Sequence, residues 1–262
     1  MSYAIAPSRP AVHFLRLNQD FSAASVGPES TSLSATHTAM PCDWILAGGL
    51  RTFRDDSLHA GRSTAALKIF LTLAWEVPSS SHLQSGRGSV LLAYEELSEL
   101  TALSHQLIAA GKKLLIDRGL IRTHPEGQGR RLRYFLENYD GSLAQYRLPH
   151  RRLLPRLGDS SPADLRSFST RHVGDLHALK VYACLCALGQ PGKNRISFRL
   201  DRLSSLTKIA NEKTLGALDK LATHGLALPR THSSVASSEA KEVEIVGFSP
   251  LRPVGLREPH QN

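Results

Sequence analysis

The sequence predicts a mainly α fold with small β-hairpins (α+β), built from one module used twice in tandem. Three observations predict it. The first is the stretch 94–121, YEELSELTALSHQLIAAGKKLLIDRGLI, where two short amphipathic segments, 95–101 and 104–118, flank a short break. Leu97, Leu100, Leu103, Ile108 and Leu115 are spaced to turn both apolar faces inward on each other. Gly119 closes the second segment as a helix C-terminal glycine does, and Leu120-Ile121 opens a strand. Helix, tight turn, helix, strand is the sequence form of a helix-turn-helix, whose second helix can enter a DNA major groove.

The second observation is that this order returns 106 residues later. LSELT at 97–101 matches LSSLT at 203–207, Leu115 matches Leu221, and Gly119-Leu120 matches Gly225-Leu226. Upstream, VLL at 90–92 matches ISF at 196–198, and ALKIF at 66–70 matches ALKVY at 178–182 with an offset of 112. Self-similarity kept in order over five elements marks a duplicated domain. The third observation is size: 262 residues, 41% of them apolar, suffice for two modest cores.

Charge and cysteines narrow the class. A net charge of +9 and a pI near 9.7 make a polyanion the first partner to consider. Cys42, Cys184 and Cys186 form no spaced framework and read as buried thiols in a reducing compartment. The first twenty residues hold no apolar core, so no signal peptide is expected. The longest apolar run, near 67–75, contains Lys68 and is too short to span a bilayer. A soluble cytoplasmic protein without membrane contact is expected.

Taken in order, residues 1–40 are rich in Ser, Thr, Ala and Pro and predict a flexible N-terminal arm. Residues 41–141 form the first domain. Trp44, Ile45 and Leu46 predict a short helix or lid packed on it. Residues 63–77 predict a helix whose polar stripe is narrow: Thr64, Lys68, Thr72 and Glu76. Such a helix is buried on most sides, by its own domain or by a second subunit. A strand at 90–92 leads to the helix-turn-helix, and two strands around a glycine-containing turn with Arg130 and Arg131 follow. A helix-turn-helix followed by a β-hairpin is a winged helix. Residues 142–173 form an arginine-rich linker of net charge +4, either a solvated tether or a segment tracking the DNA backbone. The second domain, 174–247, opens with Asp175 as N-cap and has Asn211–His224 as its second helix, with Leu215, Leu218 and Leu221 inward. Its hairpin loop, 229–241, is long and Ser-rich, and 248–262 forms a loose tail. The expected architecture is thus two tandem winged-helix domains with a disordered N-terminal arm.

The exposed positions in the first turns of each second helix are the candidates for base contacts. In the first copy these are Ser104, His105, Gln106, Ala109, Ala110 and Lys113; in the second they are Asn211, Glu212, Lys213, Thr214, Gly216 and Lys220. Gln106 and Asn211 carry the amide that can bond adenine bidentately, and Lys113 and Lys213 can reach guanine or phosphate. Arg130, Arg131 and Arg230 lie on the hairpins, and Lys208 in the turn offers a phosphate contact that Ala102 cannot. The more basic flanks favour the second copy as the DNA reader.

Catalytic signatures are weak. Gly192-Lys193 lacks the glycine and hydroxyl of a phosphate-binding loop, and His172 and His177 lack zinc-protease spacing. Cys184 and Cys186 have no second pair. No enzyme activity, cofactor or metal is expected.

On ALKIFLTLAW, on LLAYEELSELTALSHQLIAAGKKLLIDRGLI with its hairpin, and on their second-copy counterparts, the chain resembles the tandem winged-helix replication initiators of bacterial plasmids and related mobile elements. The resemblance covers about 63–136 and 175–246. It implies a sequence-specific double-stranded DNA-binding protein that initiates replication at repeated origin sites. It further implies a first domain contributing to a homodimer, a second binding the repeats, and a host helicase or initiator as partner. A transcriptional regulator of a mobile element and a protein-binding winged-helix scaffold stand as alternatives.

Overall fold

The computed structural model describes residues 37–77, 88–126, 131–139, 147–149, 165–189, 195–230 and 240–246. Strand β1 (His37–Ala39), the one-turn helix α1 (Asp43–Leu46) and a 3-10 turn (Gly49–Thr52) lead into the long helix α2 (Ala60–Glu76). There follow β2 (Ser89–Ala93), α3 (Tyr94–Thr101), α4 (His105–Asp117), β3 (Ile121–Pro125) and β4 (Arg131–Leu136). After β5 (Arg147–Pro149) and a second 3-10 turn (Leu165–Ser167) the order repeats. It runs α5 (Val173–Leu188), β6 (Arg195–Arg199), α6 (Leu200–Thr207), α7 (Asn211–Thr223), β7 (Ala227–Arg230) and β8 (Ala240–Ile245).

The fold is therefore mixed α+β, with two small antiparallel three-stranded sheets of order β2-β4-β3 and β6-β8-β7. Registers match too: Ser89 faces Phe135 and Ile121 faces Leu136, as Arg195 faces Glu244 and Ala227 faces Ile245. β1 pairs with β5, so the expected arm ends in an ordered strand, and Met40 behind it is buried. Residues 1–36 of that arm, most of the linker and the tail 248–262 lie outside the described residues.

Local chemistry makes the turns alike. α3 ends at Ala102 and α6 at Lys208, both left-handed, with φ of 52° and 57°. Ser98 Oγ donates to the Leu103 carbonyl and Ser204 Oγ to that of Ile209, closing each turn with a side chain. At the far end of α4 and α7 the chain turns at Gly119 and Gly225, with φ of 63° and 65°. There the Leu120 amide bonds the Leu115 carbonyl and the Leu226 amide that of Leu221, the wide bond of a Schellman ending.

The buried apolar residues of both copies form one cluster. α2 packs on α4 and on α5, and α5 packs on α7. The narrow polar stripe of α2 is covered by the other copy rather than by its own hairpin. Thr64, Lys68 and Thr72 are all buried. Lys68 Nζ donates to the Phe168 carbonyl (2.7 Å), and its counterpart Lys180 donates to the Thr207 carbonyl at the end of α6 (2.9 Å). A buried ammonium needs such partners, and a helix C-terminal carbonyl supplies partial negative charge. His177 Nε2 lies 3.0 Å from Asp55 Oδ2 across the same seam.

Two departures from expectation concern boundaries. Asp175 is not an N-cap: it sits buried in the first turn of α5, behind His172, and accepts from the Ser169 amide. Residues 165–168, placed in the linker by their lack of periodicity, belong to the core. Leu165-Arg-Ser-Phe168 repeats Leu50-Arg-Thr-Phe53, and in both the Phe amide bonds the Leu carbonyl at 3.2 Å with Leu and Phe buried. The first of these turns packs on α6 and the second on α3. Arg51 bonds both the carbonyl and the hydroxyl of Ser205. Each copy thus grips the other through the same element, the reciprocity of an isologous dimer interface within one chain.

Candidate nucleic-acid interface

α4 and α7 are both 13 residues long and start at positions related by the offset of 106. Their outward faces are therefore compared position by position. In α4, Ser104 is the N-cap, its Oγ accepting from the Leu107 amide at 3.3 Å. His105, Gln106, Ala109 and Lys113 are exposed and Ala110 is half-buried. Lys113 Nζ lies 3.7 Å from Asp117 one turn on, an exposed pair worth little in water. The His105 ring meets Tyr94 edge-on at 6.0 Å, and Lys112 Nζ sits 5.0 Å over the same ring. Lys112 is a cation at this face that periodicity alone assigned to neither side.

In α7, Asn211, Glu212, Lys213 and Gly216 are exposed. Asn211 Nδ2 donates to Asp201 Oδ1 of α6 at 3.0 Å. Ala210 in the cap position has no side-chain acceptor, and Glu212 supplies the acidic group of the first turn. Lys208 is exposed in the turn, as expected.

Three expectations on α7 are corrected. Thr214, expected on the contact face, is fully buried, its Oγ1 3.1 Å from the Ala210 carbonyl. Leu215, expected inward, is 42% exposed. Lys220 is turned away from the outward face into an ion pair with Asp175, a carboxylate that is itself 2% exposed. All three follow from one phase difference. Thr214 stands where Ile108 stands in α4, Leu215 where Ala109 does, and Lys220 where the buried Leu114 does. The repeat offset carried that signal, although the spacing of leucines within the segment pointed to the other face.

On the hairpins, Arg131 is exposed and ion-paired with Glu96 of α3, whose other carboxylate oxygen accepts from the Ala93 amide. Arg230 is ion-paired with Glu244 across its sheet. Arg133, two residues after Arg131 on β4, binds Glu126 and holds that carboxyl below its ordinary range. Arg130 and the loop 231–239 lie outside the described residues. The second copy adds exposed arginines missed in sequence: Arg195 and Arg199 on β6 and Arg202 on α6. Their signal was the alternation RISFR, whose apolar Ile196 and Phe198 point to the core and leave the arginines outward.

The far end of each of these helices is anchored in the same way. Arg118 lies over the Phe53 ring at 5.0 Å and donates to the Thr52 carbonyl. His224 lies against Phe168 at 4.8 Å, with its Nδ1 3.5 Å from Ser167 Oγ. The anchors fix the tilt of α4 and α7 from behind and leave the leading turns outward.

The three thiols are buried, and burial pushes those of Cys184 and Cys186 up to about 12 and that of Cys42 higher still. They carry no thiolate at neutral pH. Among the described residues no group of three or more His, Cys, Asp or Glu could hold a metal ion, and no helix is long and apolar enough to cross a membrane. No protein-family model matches the chain, and no curated protein matches it.

Proposed function

We propose that the chain is a sequence-specific double-stranded DNA-binding protein made of two winged-helix domains in tandem. The observation that carries this reading is the order helix, strand, helix, helix, strand, strand, present twice, with the leading turns of α4 and α7 exposed each time. Basic charge of +9 supports a polyanionic partner. His105, Gln106 and Lys113 in the first copy, and Asn211, Glu212 and Lys213 in the second, would face base edges. Arg131, Lys208 and Arg230 would lie along phosphates.

Within that class, the reading is a replication initiator of a plasmid or integrative element that binds repeated origin sites. The resemblance of the two stretches to that family supports it. The reciprocal grip between copies supports a chain that presents both reading helices as one rigid body. An operator-binding regulator remains the second reading, favoured by the same charge and faces. Footprinting decides between them. Several direct repeats protected at an origin support initiation, whereas one inverted repeat at a promoter replaces it with regulation.

DNA binding itself has a direct test. Affinity for a selected duplex falls with salt by roughly 0.9 in log K per phosphate contact. Lys113→Ala and Lys213→Ala each weaken binding by about 1–3 kcal/mol where the lysine reads a base. Unchanged affinity for every duplex in both variants removes these two lysines from the interface.

A further inference from the structure

We propose that α4 and α7 read half-sites of unequal sequence, with Gln106 taking an adenine where Glu212 takes a cytosine. This rests on the DNA-binding reading above. Gln106 and Glu212 occupy the same position of two helices of equal length, both are exposed, and among the described residues neither has a side-chain partner. Their chemistry differs by one group. A carboxamide offers a donor and an acceptor, which matches the N6 amino group and N7 of adenine in the major groove. A carboxylate offers acceptors only. It accepts from the N4 amino group of cytosine and is repelled by O6 and N7 of guanine and by O4 of thymine.

The neighbouring positions differ in the same sense. Ala109 lets α4 approach the groove floor, whereas the equivalent Leu215 is 42% exposed and presents an apolar surface suited to a thymine methyl group. Lys113 is replaced by the exposed Asp219. Asn211, beside Glu212, spends one of its two amide N–H groups on Asp201, a bond its counterpart His105 does not make. Glu212 and Leu215 therefore favour bases with amino or methyl groups, with Lys213 beside them left for guanine or phosphate, whereas the outward face of α4 tolerates guanine and adenine. Glu212 also complements the positive end of α7, and that role alone gives no base preference.

The experiment is selection of bound duplexes from a random library by the full chain, repeated with Glu212→Gln and with Gln106→Glu. Both positions are exposed, and thermal melts that match wild type verify that the variants fold. The expected wild-type site has adenine in one half and cytosine at the corresponding step of the other. Glu212→Gln shifts the cytosine to adenine and leaves the first half alone, with a change in preference of roughly 5- to 150-fold, the span of one base contact. Gln106→Glu does the converse. A wild-type site with the same base at both steps, or a Glu212→Gln preference unchanged at every position, overturns the inference while leaving DNA binding intact. Failure to enrich any duplex removes the DNA-binding reading, and this inference with it.

Discussion

The two copies keep the same turn-closing bonds and differ in what they pack and present. Ser98 and Ser204, Thr101 and Thr207, and Gly119 and Gly225 do the same work at the same places. The crossing of the first and last helix occurs in both copies but uses different residues. Gly111 lets α4 press against α2, where a Cβ would meet the Ala66 nitrogen at 2.9 Å and the Ala65 carbonyl carbon at 3.0 Å. Its counterpart in α7 is Ala217, which is buried with its Cβ in place. One residue earlier, the second copy has Gly216 in open space where the first has Ala110. Backbone closure of the turn therefore tolerates no variation, while helix spacing and outward chemistry have room to diverge.

The largest expected effect tests that spacing. Gly111→Leu forces backbone apart at the α2–α4 crossing and destabilises the chain by about 3 kcal/mol or more in denaturant melts. Gly216→Ala, in open space, stabilises by roughly 0.5–1 kcal/mol because alanine is the better helix former. A Gly111→Leu variant as stable as wild type would show that the α2–α4 crossing has room for a side chain.

Lys180 gives the next effect, through pH. Burial holds its ammonium down at about 8 against an ordinary value of 10.5. Between those values the unfolded chain binds a proton that the folded chain has lost, so this group adds stability as pH rises. The stability of wild type relative to Lys180→Met should therefore grow by about 3 kcal/mol from pH 8 to 10.5. A difference that stays flat across that range would show the side chain reaching water. The buried thiols act oppositely above pH 9, since their raised values favour the protonated folded form, and the comparison with Lys180→Met cancels them.

The smallest effect separates turn strain from DNA contact. Ala102 and Lys208 both hold left-handed backbone, so Ala102→Gly and Lys208→Gly each stabilise by about 0.5–1 kcal/mol. Only Lys208→Gly also loses a cation, and it alone should lower the salt slope of DNA binding by about one. A matching loss of slope in Ala102→Gly would trace the effect to turn geometry instead.

The helix pairs α3–α4 and α6–α7 were legible because their signals are local. Leucines at helical spacing, the LSELT and LSSLT turns, and glycines after α4 and α7 each act within a few residues. The LRTF and LRSF turns were missed because 3-10 turns of four and three residues carry no period, although their repetition was visible. The phase of α7 was misread because Leu215 and Leu218 look like a core stripe until Thr214 is aligned with Ile108. Thr214 is tolerated inside because its hydroxyl bonds backbone one turn back, which spacing rules do not register.

Though it left out β1, β5 and the two 3-10 turns, the sequence by itself determined the helices and the small sheets of the repeated order and the glycine turns after α4 and α7. These depend on interactions spanning at most a few residues. Only the tertiary structure decided that both copies share one core, that the polar stripe of α2 faces the other copy, and that Lys220 serves Asp175 instead of the outward face. Burial is non-directional, so an apolar face specifies that it must be covered without specifying by what. The partner is settled only when the whole chain is packed.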